Sequence, residues 1–206
     1  FHTLQRIEKG RRIGNFYMLK YAGVDPQGRW IVYDKDGDKV LADNATDEDR
    51  QYVGNGLPQF TGSMTHTFRY KNIDLSLFFQ TALGFDIFNI HDFYYGTKNF
   101  QGNVMDKAYS KNKLISQNPI VCDYFLEPGD YLKLSSVNLG YTLNVNKKYV
   151  DAIRIYATAS NLFTITKFSG VDPSTYQLNG LNPGATNSRT YYPSTRQFML
   201  GMQIDF

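Results

Sequence analysis

Five stretches of the chain alternate apolar and polar side chains with a period of two, the spacing of a half-buried β-strand. In 60–70, FTGSMTHTFRY, the positions Phe60, Gly62, Met64, His66, Phe68 and Tyr70 oppose Thr61, Ser63, Thr65, Thr67 and Arg69. Lys71 and Asn72 leave room only for a tight turn before 72–85, where Ile73, Leu75, Leu77 and Phe79 oppose Asp74, Ser76, Phe78 and Gln80. In 130–143 Val137, Leu139, Tyr141 and Leu143 stand against Ser136, Asn138, Gly140 and Thr142. In 152–166 Ile153, Ile155, Ala157 and Ala159 stand against Arg154, Tyr156 and Thr158. The final stretch, 195–206, has Phe198, Leu200, Met202, Ile204 and Phe206 on one face and Gln197, Met199, Gly201, Gln203 and Asp205 on the other.

The connections between these strands run short after Tyr70, long after Phe85, short after Leu143 and long after Thr166. Such short-long alternation belongs to outer-membrane β-barrels, and about 10 residues is the length a tilted strand needs to cross a bilayer. The expected fold class is therefore all-β, antiparallel strands forming the C-terminal portion of a large transmembrane β-barrel with long extracellular loops. Residues 60–206 would supply the barrel strands, with outer loops at 86–129 and 167–194. Residues 1–59 would form an extracellular loop region holding a β-hairpin over 13–33, where Asp25, Pro26 and Gly28 provide the turn. Five strands cannot close a membrane barrel, whose smallest examples have about eight. The chain also begins without Met or a signal-peptide pattern, and both facts point to a piece of something longer.

Composition strengthens the β reading. Aromatic residues make up 16% of the 206-residue chain, with 16 Tyr and 15 Phe, while charged residues make up 20%. Tyr and Phe favour strands, and Tyr also favours the boundary between an apolar slab and water. The formal charge of +3 is dispersed without a long basic run, which argues against a nucleic-acid surface. The single Cys122 excludes an internal disulfide framework and reads as a lone thiol in a loop. No apolar run is long enough for a transmembrane helix, which says nothing against strands crossing a membrane.

Several stretches taken in order resemble the C-terminal part of the SusC/RagA family of TonB-linked outer-membrane proteins of Bacteroidetes. They are IGNFYMLKYAGVDPQGRW with VYDKDGD, NGLPQFTGSMTHTFRYKNIDLSLFFQTALGFDIFN, DYLKLSSVNLGYTL, ATASNLFTITKFSGVDPSTY and the closing RQFMLGMQIDF, covering about 13–206. The resemblance implies a 22-stranded, TonB-dependent transporter that imports glycans or peptides with a SusD-like surface lipoprotein. It implies TonB contact through an N-terminal part not in this sequence, a C-terminus in the periplasm and long loops outside the cell. It also implies that terminal Phe206 acts as a barrel-assembly signal.

Candidate chemistry is sparse. Asp34, Asp36 and Asp38 in DKDGD resemble the first half of a calcium loop, but the sixth and twelfth positions are Lys39 and Ala45 where an EF-hand needs Gly and Glu. A polar turn explains them better. His2, His66 and His91 have no metal-ligand spacing, and no nucleophile, phosphate-binding or paired-carboxylate motif occurs, so neither an enzyme nor a cofactor is expected. Phe93, Tyr94 and Tyr95 in one long loop and Tyr191 and Tyr192 in the other are candidate substrate-binding residues, since rigid aromatic faces stack on sugar rings or peptide side chains. The other account makes them part of an interfacial girdle or of the packing within the loops. A competing function is a secreted or surface β-sandwich that binds glycan through its aromatic loops. It differs in requiring the apolar faces around Leu139 and Leu200 to be buried against a second sheet.

Overall fold

The computed structural model describes residues 4–147, 149–176, 178–185 and 192–206. In chain order the strands are β1 (Asn15–Met18), β2 (Lys20–Val24), β3 (Trp30–Tyr33), β4 (Lys39–Leu41), β5 (Gln51–Asn55), β6 (Phe60–Tyr70), β7 (Ile73–Leu83), β8 (Asp86–Phe88), β9 (Leu126–Pro128), β10 (Tyr131–Lys147), β11 (Val150–Thr166) and β12 (Gln197–Asp205). One α-helix, α1 (Ile90–Tyr95), lies between β8 and β9. The chain forms two compact units that interleave in sequence: Phe1–Gln59, Gly84–Asp130 and Lys167–Tyr192 make the first, and Phe60–Leu83, Tyr131–Thr166 and Pro193–Phe206 the second.

The second unit is one antiparallel sheet of five strands in the order β12-β11-β10-β7-β6. Its register aligns like with like across the whole width. One apolar row runs Phe68, Leu75, Leu139, Ala157, Leu200, and the next runs Tyr70, Ile73, Tyr141, Ile155, Met202. The opposite face carries the row Thr67, Ser76, Asn138, Thr158, Met199. Such alignment follows from the period of the strand, because a slip by one residue would send every apolar side chain to the wrong face. A bulge interrupts the β10–β11 pairing between Leu134 and Ser136, with Asn161 in the left-handed region at φ 54°.

The sheet does not close into a barrel, which corrects the expected fold class. Edge strands β6 and β12 do not pair with each other, and the remaining strands form separate sheets: β1-β5, β2-β3-β4 and β8-β9. Alternation specifies two faces of opposite polarity, but closure also needs the first and last strands to meet, and no pattern within a strand encodes that. Among the described residues no helix is long and apolar enough to cross a membrane, which leaves strand crossing untouched. The apolar face is nevertheless uncovered: Leu139 is 48% exposed, Phe198 75%, Leu200 83% and Met202 63%. A sandwich would bury these side chains.

The first unit is not all-β and has a true core. Trp30, Phe16, Met18, Phe88, Ile90 and Phe125 are fully buried at its centre. The Phe125 ring lies 5.8 Å from Trp30 and 5.2 Å from Phe93, in the tilted and edge-on geometries that aromatic pairs prefer. The indole N–H of Trp30 donates to the Asn118 carbonyl at 2.9 Å, which removes the cost of burying it. Residues 86–129, expected as a long loop, hold β8, α1, β9 and short 3-10 turns at Asp106–Ala108 and Asp123–Phe125. Their apolar anchors come in clusters of two or three, too short to show a period. Glycine lets backbone approach backbone here: a Cβ on Gly56 would lie 1.8 Å from the Pro183 carbonyl oxygen.

Candidate functional site

Helix α1 starts where Asn89 caps it, its side-chain oxygen accepting from the Asp92 N–H at 3.1 Å. The helix brings His91 and Tyr95 onto one side, four residues apart, with ring centroids 6.4 Å apart. The Met105 N–H donates to the Tyr95 carbonyl at 2.8 Å and ties the following loop to the helix end. Together with Val104, Ser169 and Val171, these residues line a cavity of about 490 Å³. That volume lies within the range of small-molecule sites, and the walls are mainly apolar, with His91, Asn103 and Ser169 as the polar side chains beside the Tyr95 hydroxyl.

A charged network fixes two walls of this cavity. The Lys107 ammonium donates to Asp92 Oδ2 at 3.0 Å and to Ser169 Oγ at 2.7 Å. Ser169 Oγ donates in turn to Glu127 Oε1 at 2.6 Å, and its N–H donates to Glu127 Oε2 at 2.7 Å. Asn89 Nδ2 also donates to Glu127, at 3.1 Å. Asp92 is 1% exposed, so its carboxylate depends on Lys107 for compensation. Burial pushes Glu127 upward, but the hydrogen bonds from Ser169 and Asn89 and the charge of Lys107 outweigh it and hold the carboxyl below its usual value. The network binds the 169–171 segment to α1. The Ser169 hydroxyl is engaged on both sides, as acceptor from Lys107 and as donor to Glu127.

The sequence-predicted aromatic residues separate in the structure. Phe93 is buried in the core, Tyr94 packs against that core, and only Tyr95 of the three lines the cavity, with its ring edge-on to Phe100 at 4.8 Å. Tyr192 is exposed, and Tyr191 lies outside the described residues. Phe206 is 85% exposed beyond the end of β12. Asp34, Asp36 and Asp38 form a hairpin turn in which Asp34 Oδ1 accepts from the N–H groups of Asp36 and Asp38, at 3.0 and 2.8 Å. Among the described residues no three His, Cys, Asp or Glu side chains converge as metal ligands. Cys122 is fully buried, and burial pushes its thiol up to about 12, far from the reactive range. Lys107, Glu127, Asn89 and Ser169 carried no spacing signal. The one trace was Asn89 standing three residues before the acid Asp92, an N-cap pattern.

The second unit has a polar site of its own. Asp74, Gly140, Tyr156 and Gly201 share one row across β7, β10, β11 and β12. Arg154, two residues before Tyr156 and on the same face of β11, reaches over Gly140 and donates to Asp74 through Nη2 at 2.6 Å and Nε at 3.2 Å. A Cβ at position 140 would sit 2.4 Å from Arg154 Nη2 and 2.5 Å from Asp74 Oδ1, so the pair requires glycine beneath it.

The chain thus contains a sheet with one uncovered apolar face and one polar face, and a packed unit that carries a cavity. No protein-family model matches the chain. It is 27% identical over 237 residues to TonB-dependent receptor P3 of Formosa agariphila, a match covering 100% of this chain and 24% of the receptor. It is 28% identical over 222 residues to TonB-dependent receptor SusC of Bacteroides thetaiotaomicron, covering 100% of this chain and 19% of SusC. Its fold superposes on the RagAB peptide importer in its closed-closed state with a TM-score of 0.73 at 27% identity, over 93% of this chain and 23% of that one. At this distance the similarity supports assignment at the level of the SusC and RagA group of TonB-dependent receptors, without singling out a member. These relatives are receptors and transporters, not enzymes. The chain spans only about a fifth to a quarter of their length.

Proposed function

We propose that the chain is part of a TonB-dependent importer of the outer membrane that takes up glycans or peptides together with a SusD-like surface lipoprotein. The observation that carries this reading is the five-stranded sheet, whose apolar rows align in register and lie uncovered while the opposite face is polar. In water, a contiguous exposed apolar face of this kind marks an interaction surface. Here outer-membrane lipid is its partner, and the polar face lines an aqueous path. The tight turn at Lys71 and Asn72 and the C-terminus lie on the periplasmic side, and the long loops 86–129 and 167–194 lie on the extracellular side, where they meet the lipoprotein and the substrate. Tyr95 and the cavity beside it form the part of that surface best shaped for a ring or an apolar side chain. TonB acts through a part of the protein beyond this sequence.

The test is fractionation of the intact gene product in its native host, followed by uptake measurements with labelled oligosaccharides and oligopeptides. Recovery with the outer membrane, and loss of uptake of one substrate class on deletion of the gene, is the expected result. Recovery in the soluble fraction alone overturns the proposal.

A further inference from the structure

At the turn end of the five-stranded sheet, Arg69, Lys71, Asn72, Asp74, Thr142 and Arg154 line a polar recess of about 460 Å³. Its charges do not balance. Asp74 is the single acid among the lining residues and is engaged in a two-point ion pair with Arg154, while Arg69 stands directly opposite Asp74 in the β6–β7 register. Among the described residues neither Arg69 nor Lys71 forms a salt bridge, so the recess carries an excess of two positive charges. Both side chains are exposed. The turn that presents Lys71 is rigidly set: Lys71 itself occupies the left-handed region at φ 52°, and the Thr142 N–H donates to the Asn72 carbonyl at 2.8 Å.

We infer that this recess is a docking site for an acidic peptide segment, whose carboxylates pair with Arg69 and Lys71 while Asn72 and Thr142 offer hydrogen bonds to its backbone. Charge complementarity selects the sign of the occupant, and the shape selects its size. The recess draws on four adjacent strands, β6, β7, β10 and β11, which at a spacing of about 4.8 Å extend roughly 14 Å, the length of about four extended residues. A lone phosphate or carboxylate would engage one end of such a strip. Arg154 is not free to serve the occupant, because Asp74 holds it over Gly140; its role is to keep Asp74 from pairing with Arg69. The inference does not depend on the transport reading, since it rests on the polar face alone.

The experiment uses the intact protein in detergent and a fluorescently labelled, end-blocked Glu-Asp-Glu-Asp peptide, with Gln-Asn-Gln-Asn as the uncharged control, read by anisotropy. The acidic peptide is expected to bind and the control not to. The double variant Arg69→Gln/Lys71→Asn should weaken binding at least tenfold; Asn is chosen because it tolerates the left-handed backbone at that position. Asp74→Asn should strengthen binding, since it removes the competing acid, and this opposite sign separates recognition from loss of structure. Lys9→Gln, on the first unit, should leave binding unchanged. Equal binding by the double variant, equal binding of the control peptide, or full displacement by inorganic phosphate at equal charge concentration would each overturn the inference.

Discussion

The two units of this chain treat their apolar side chains in opposite ways. The first folds Trp30, Phe16, Phe88 and Phe125 inward and leaves none of them accessible, whereas the sheet of the second turns Phe198, Leu200 and Met202 outward. The first is an ordinary water-built core, and its elements are short because a cluster of large rings supplies the driving force that long amphipathic elements supply elsewhere. The second obtains its order largely from backbone ladders and register: apart from Ala82 and Leu134, which are buried, most of its apolar side chains gain full burial only when something outside the described residues covers them. Hydrophobic content is therefore a poor guide to where stability resides in this molecule.

The largest expected effect lies in the first unit. Trp30→Ala should lower its stability by about 3–5 kcal/mol, the usual cost of emptying a buried aromatic site. Hydrogen exchange on the intact protein would show lost protection in β1 and β3 with β10 and β11 unaffected. Protection lost equally in both units would mean that they do not stabilise independently. Next is Lys107→Met, which strands the buried Asp92 carboxylate and should cost about 3 kcal/mol, partly recovered when Asp92 is also replaced by Asn. The same exchange measurement on the single and double variants tests this, and additive effects would rule out the coupling.

How far each unit could be read from sequence follows from the same contrast. The rows of the sheet were legible because period-two alternation persists over many residues, and the aligned row from Phe68 to Leu200 follows directly from it. Closure was not legible, because it depends on which strands meet rather than on what each contains. In the first unit, α1 is six residues long and its apolar positions, Ile90 and Phe93, fit a helix, a strand or a loop equally well. The Lys107–Glu127–Ser169 network joins residues up to 62 positions apart, so nothing local announces it. Successive helical residues diverge by about 100°, so Phe93, Tyr94 and Tyr95 present different faces of α1, and Phe93 is the one turned into the core.

Intermediate effects probe what the sheet does contain. Gly140→Ala should cost about 1–2 kcal/mol by overpacking beneath the Arg154–Asp74 pair, a mechanism that needs no apolar burial. Loss of the pair should appear as faster exchange in β10 and β11 near positions 140 and 154. A smaller, pH-dependent effect belongs to the first unit. The Glu127 carboxyl is held below its ordinary value in the folded state, so its contribution is present above about pH 4.3 and is lost as the pH falls through the folded value. The first unit should therefore weaken on acidification. Glu127→Gln should flatten that part of the profile, measured as the unfolding midpoint against pH.

The smallest expected effect is the one that bears most on the comparison. Leu200 ends the sheet's apolar row on edge strand β12, opposite Ala157, and is 83% exposed. If the face meets no packed protein, Leu200→Ala removes no interlocking neighbours and leaves no cavity, so stability should change by less than about 0.5 kcal/mol. A core leucine loses about 2–5 kcal/mol on the same substitution, because it forfeits both burial and packing. Unfolding measured on the intact protein in detergent separates the two ranges cleanly. A loss in the core range would mean that protein is packed against this face, and the proposal that lipid covers it would have to be abandoned. A negligible loss, paired with the large loss at Trp30, would establish that the two units are stabilised by different physics within one chain.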